Sequence, residues 1–156
     1  MRMFREMRRK DRKLGKEEIF EILKKGEYGI FSTISQNGYP YGLPVNYVYT
    51  NGSIYFHCAV EGHKLDNIKN NDKVSFCVVG PTQILPDKFS TKYESVIVFG
   101  RAIEVSGDEK NRALLELINK YSPDYIEQGK EYIQKKNKDS KVIKIKTEHI
   151  TGKGRR

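Results

Sequence analysis

The sequence has no tryptophan, two cysteines, three histidines and five prolines in 156 residues. Each shortage excludes something. Cys58 and Cys77 are too few for a disulfide framework and lack metal-type spacing, so both are expected as reduced, buried small hydrophobes. Three histidines without HExxH or clustered carboxylates argue against a zinc site. The ~18 consecutive apolar residues of a spanning helix are missing, so no membrane partner is expected. Charge begins at Arg2 with no apolar stretch behind it, so no secretory signal is read and the expected location is the cytoplasm. GxSxG, the P-loop and GxGxxG are absent as well, which removes the serine-hydrolase elbow and two nucleotide fingerprints. With so little acid–base equipment, an enzyme of this sequence needs a bound cofactor to carry its chemistry.

What is present starts with charge. The formal net charge is +9, but it is unevenly held. Residues 1–16 carry eight basic and two acidic side chains, and residues 130–156 carry ten and three, so the segment between them is net −4. A nucleic-acid binder more often carries its charge on a folded reading surface with aromatics interleaved. Basic ends around an acidic centre disfavour nucleic acid as the main partner, although such ends bind polyanions weakly.

The length suits one domain over 1–156, with a basic arm at 1–14 and a polar tail at 150–156. Ile19, Phe20, Ile22 and Leu23 make one face of a short helix over 16–25. Strands are expected over Tyr28–Ile34, Tyr41–Thr50 and Ser53–Ala59, with hairpin signals at Asn37-Gly38 and Asn51-Gly52. Pro40 and Pro44 mark an edge, a bulge or a bend. A short helix carries Leu65 and Ile68. Strands follow over Lys73–Val79 and Tyr93–Val105, the second with a bulge or close approach at Gly100, and residues 82–89 read as a loop. Two helices come next, over Asp108–Tyr121 and after Ser122-Pro123, then a last strand at Lys141–Glu148. Hairpin connections imply antiparallel pairing, so the expected fold is mainly β: a six-stranded antiparallel barrel decorated by α-helices.

The chemistry-bearing stretch is Tyr39–Leu65. Gly62-His63-Lys64 opens a helix, where free N–H groups and an ammonium suit a phosphate; a solvated loop is the bland alternative. His57 interrupts an apolar strand, where a hydrogen-bonded core histidine is the usual explanation. Alternation puts Tyr93, Ser95, Ile97, Phe99 and Arg101 on one face of their strand.

Several stretches resemble one family: Met-Arg-Arg-Lys-Asp-Arg at 7–12, Asn-Gly-Tyr-Pro-Tyr-Gly-Leu-Pro-Val-Asn-Tyr at 37–47, Ile-Tyr-Phe-His-Cys-Ala at 54–59, Gly-His-Lys-Leu-Asp-Asn-Ile at 62–68, and Tyr-Glu-Ser-Val-Ile-Val-Phe-Gly at 93–100. In that order they are similar to the Nim-type, nitroimidazole-resistance branch of the pyridoxamine 5′-phosphate oxidase-like flavoproteins. The resemblance implies an FMN-binding split barrel and a homodimer with flavins at the subunit interface. It implies FMN as cofactor, with its phosphate on Gly62, His63 and Lys64. Leu43, Pro44, Val45, Asn46 and Tyr47 would run past the ring system, with catalytic His57 close to flavin and substrate. Tyr93 and Ser95 would contribute from the facing strand, and Lys153 would reach the partner's site. The implied activity is flavin-dependent reduction of a nitro group, with NAD(P)H as a candidate donor and a small molecule as substrate. No arginine-rich motif of the kind that binds pyridoxal phosphate aligns, which speaks against vitamin B6 oxidation. The alternative is a non-catalytic module of the same fold that holds flavin, haem or another small molecule.

Overall fold

A computed structural model describes residues 3–156; Met1 and Arg2, the start of the expected arm, lie outside the described residues. Its strands are β1 (Gly29–Ile34), β2 (Pro40–Val45), β3 (Val48–Thr50), β4 (Ser53–Ala59), β5 (Lys73–Val79), β6 (Gln83–Leu85), β7 (Ser90–Val105) and β8 (Ser140–Arg155). All pair antiparallel, in the order β2-β1-β5-β7-β8-β4-β3, with β6 added to β7. The two ends of this order, β2 and β3, are separated in the chain only by Asn46 and Tyr47. The sheet must therefore roll until its edges meet at that corner. It does not close, because β2 pairs β1 alone. The result is an antiparallel split barrel.

There are eight strands where six were expected, and the corner explains one of them. Tyr47 breaks the expected Tyr41–Thr50 strand in two by turning its ring into the core. Its backbone N–H donates to Tyr121 Oη at 3.0 Å, and its carbonyl accepts Lys120 Nζ at 3.0 Å. Both groups are thereby lost to a ladder. The other added strand, β6, forms within the expected loop at 82–89.

The polar tail expected at 150–156 is in fact the second half of β8. Its ladder with β7 jumps from Phe99↔His149 to Gly100↔Thr147, so Glu148 is an extra residue. A bulge of this kind flips the alternation. Before it Ile143 and Ile145 face the core; after it Gly152 is the buried residue, and Ile150 packs against the same core. Gly100 sits at this bulge against the Lys146 carbonyl, where a Cβ has no room.

Phe31, Ile54, Phe56, Phe76, Val78, Val96, Val98, Ile143 and Ile145 fill the barrel, joined by Ile19, Ile22 and Leu23 of α1 (Lys16–Lys25). Outside β3, β4 and β8 a second cluster forms around Val48, Tyr55 and Val142. There Ala113, Leu114 and Leu117 of α3 (Gly107–Tyr121) pack, with Ile133 of α4 (Ile126–Lys136) beside them. The short α2 (His63–Asn70) is held to β1 through the buried Asn67 amide, which donates to Thr33 Oγ1 at 2.9 Å and Ser35 Oγ at 3.2 Å. Among the described residues no helix is long and apolar enough to cross a membrane.

Candidate functional site

The split is where the sheet leaves groups unused. β2 has no ladder partner on the side away from β1, which is why Pro40 and Pro44 are tolerated there. β4 pairs β3 only through Ser53–Tyr55, so Phe56–Ala59 lie beyond that ladder. Both free edges start from the Asn46–Tyr47 corner and diverge. Leu43 and Val45 pack inward against the barrel core, while Pro44 and Asn46 face out. Asn46 donates from Nδ2 to the Glu27 carbonyl at 2.9 Å.

α2 closes the far end of the split. Gly62 precedes it with φ +152° in open space, and no side chain caps the helix, so its first N–H groups stay free. His63 is already engaged: Nε2 lies 3.1 Å from Ser35 Oγ, and its ring is 4.0 Å from that of Tyr41. Lys64 lies close enough to Cys58 for its charge to oppose the rise that burial imposes on the thiol pKa. It forms no ion pair among the described residues. Free amides and an unpaired ammonium at one end of an open edge make an anion-receiving geometry.

His57 points outward from β4, opposite Val142 of β8. It lines a cavity of about 180 Å³ with Leu114, Leu117, Ile118, Tyr132 and Ile133 of the two long helices. The residue is partly open to solvent, yet its neighbours desolvate it enough to lower its pKa, which favours neutral imidazole. The arrangement offers a neutral donor–acceptor beside an apolar wall.

The remaining sequence candidates lie elsewhere. Tyr93↔Arg155 and Ser95↔Lys153 are ladder partners on the outer face of β7 and β8. Between β7 and the split-lining β2 stand β5 and β1. Within one chain Leu43–Asn46 and Gly62–Lys64 border the split, the His57 side chain lies in the separate cavity under α3 and α4, and Tyr93, Ser95 and Lys153 stand apart on the outer face. Tyr47 borders the split, but its ring is in the core and its backbone is spent on Tyr121 and Lys120.

Three positions escaped sequence reasoning. Asn67 holds α2 in place. Lys120 lies 3.9 Å from the Tyr47 ring centroid, and burial brings its pKa down to about 8. Arg12, expected on a basic arm, reaches Tyr93. A buried Asn on a polar helix and a Lys on an amphipathic one carry no sequence signal. Arg12 lies inside the Met-Arg-Arg-Lys-Asp-Arg stretch at 7–12, but nothing there names its target.

Residues 15–154 match the family model described as pyridoxamine 5′-phosphate oxidase. No curated protein matches the chain. Among solved structures it is similar to a protein of Bacteroides thetaiotaomicron provisionally named for 5-nitroimidazole antibiotic resistance. The two are 23% identical, over 91% of this chain and 86% of that one, with a TM-score of 0.75. A FAD and heme binding protein of Mycobacterium smegmatis is 14% identical over 90% of this chain and 71% of its own, with a TM-score of 0.79. A FAD binding protein of the same organism is 20% identical over 92% and 99%, with a TM-score of 0.64. At such identities these structures bear on the fold.

Proposed function

Since the chain belongs to the pyridoxamine 5′-phosphate oxidase family, we propose that it holds a flavin, FMN, along the split and acts as a flavin-dependent oxidoreductase of the nitroaromatic-reducing kind. The observation that carries this is the split itself: a free strand edge at Leu43–Asn46, ending at the uncapped start of α2, whose first turn holds Lys64 and Asp66. A planar, hydrogen-bonding ring system with a phosphate tail fits that sequence of groups. The free amides at the start of α2 and Lys64 would take the phosphate. The unpaired edge of β2 would meet the ring, and His57 would face the substrate from the apolar cavity. A bound flavin supplies two-electron chemistry that these side chains lack. The chain's own contribution is to bind, orient and exclude water, with His57 kept neutral as a hydrogen-bonding group. The FAD-named and nitroimidazole-named neighbours support the same direction.

The active unit in this reading is a homodimer. The outer face of the sheet leaves Val79 57% and Ile97 40% exposed. The β6–β7 hairpin also presents Phe89, 96% exposed, at φ +50°. A second copy covering that face would bring Tyr93, Ser95 and Lys153 to the partner's split, which would reunite the two groups of candidates. Purified protein should be yellow and elute at twice the mass of a single chain, and Lys64→Ala should weaken flavin retention. Colourless protein that takes up no added FMN would sink the proposal. Flavin that binds but is not turned over by NADH or NADPH, with or without a nitroaromatic acceptor, would favour the non-catalytic reading. The shortage of acid–base groups beside His57 suits that reading equally well.

A further inference from the structure

The outer face of β7 and β8 holds donors that the split does not use. Residues 13 and 14 run along the edge of β8: Lys13 bridges to Lys153, and the Leu14 N–H donates to the Gly152 carbonyl at 2.9 Å. This carries Arg12 over the outer face, where its Nη1 donates to Tyr93 Oη at 3.4 Å. Lys153 Nζ stands 5.9 Å from the Tyr93 ring centroid, and Ser95 is the ladder partner of Lys153. The Arg12 hydrogen bond and, after it, Lys153 pull the Tyr93 phenol below its ordinary pKa. Carboxylates in this region are committed elsewhere. Asp11 is held by Arg9 at 2.6 Å, and Glu94 by Arg156 at 2.8 Å. Among the described residues neither Arg12 nor Lys153 has an ion-pair partner. Backbone pairing thus holds two like charges beside one phenol, with Asp11, itself clamped by Arg9, as the nearby carboxylate that feels Arg12. Tyr93 accepts from Arg12, so its own proton is free to donate outward.

We propose that Arg12, Tyr93, Ser95 and Lys153 bind a phosphate-type oxyanion on a molecule that exchanges electrons with the flavin. For its place in the reaction this rests on the dimeric flavin reading above; for anion binding it does not. Two cations and two hydroxyls approach from a strand pair and a crossing arm. That suits three oxygens sharing close to two negative charges, rather than the two oxygens of a carboxylate. The phosphate belongs either to a donor that carries a monoester, the 2′-phosphate of NADPH, or to the acceptor.

The test titrates inorganic phosphate into the full chain as purified, by calorimetry at low salt, alongside Lys64→Ala, Arg12→Gln and Lys153→Gln. Thermal melts confirm folding. Phosphate binding should survive Lys64→Ala and weaken at least about tenfold in each of the other two, the scale of one lost charged hydrogen bond. Binding lost in Lys64→Ala but intact in Arg12→Gln overturns the proposal, as does acetate binding as tightly as phosphate. Colourless protein whose phosphate binding still depends on Arg12 removes the flavin reading and leaves this site standing. In turnover, a tenfold rise in the KM of NADPH for Arg12→Gln, with kcat little changed and the KM of NADH unmoved, assigns the phosphate to the donor. Unchanged donor KM, with phosphate competing against the acceptor, assigns it to the acceptor.

Discussion

The split and the outer face perturb their ionisable groups by opposite means. Around the split the cause is burial. His57 is pushed down, Cys58 is pushed up and Lys120 is brought down to about 8, each mainly by desolvation. On the outer face the cause is charge. Tyr93 is pulled down by the hydrogen bond from Arg12 and then by Lys153, which together outweigh the opposing effect of its partial burial. A desolvated pocket disfavours ions and suits a neutral ring, whereas an open pair of cations suits an anion. The two regions therefore suit different kinds of ligand, and each should be breakable without the other.

The largest separation is expected from Asn67→Ala. Its amide serves two buried hydroxyls, so removal should cost about 3 kcal/mol of folding stability and loosen the start of α2. Flavin retention should fall while phosphate binding at Arg12 persists; a chemical melt and a titration read the two. Gly152→Ala should act the other way. A Cβ there would stand 2.5 Å from Ile19 Cγ1 and 3.1 Å from Leu14 Cβ, within the close contact that lays the arm against β8. Overpacking of this sort costs about 1–2 kcal/mol. Phosphate affinity should drop and flavin should stay; equal loss of both would show that the regions are not independent.

The same contrast decided what could be read from the sequence. The split was legible because its parts lie within one stretch, with Pro44, the strand ending at Ala59 and Gly62-His63-Lys64 in succession. The outer cluster was not, because Arg12 and Tyr93 are 81 positions apart and no local pattern joins them. The second half of β8 was missed for a different reason. Glu148 flips the alternation, so Ile145 and Ile150 pack against the same core five positions apart, which no period of two can show. The corner was half visible: the prolines announced a break, but Tyr47, a good strand residue by propensity, made it through long-range bonds to α3.

Two titrations probe the contrast at its smallest scale. The folded protein holds the His57 pKa below that of the unfolded chain, near 6.5. The unfolded state therefore binds the proton first, and stability falls as pH drops through about 6.5 towards the folded value. His57→Gln should lose less thermal stability than the parent between about pH 8 and about pH 5.5; equal losses would mean that His57 is not desolvated. Because burial causes this shift, added salt should hardly change it. Tyr93 should behave differently, since screening contracts the reach of exposed charges to about 3 Å at 1 M salt. Followed by phenolate absorbance against a Tyr93→Phe blank, its pKa should climb back towards about 10 as salt rises. A Tyr93 titration indifferent to salt would take charge away as the cause, and with it the main physical difference between the two faces.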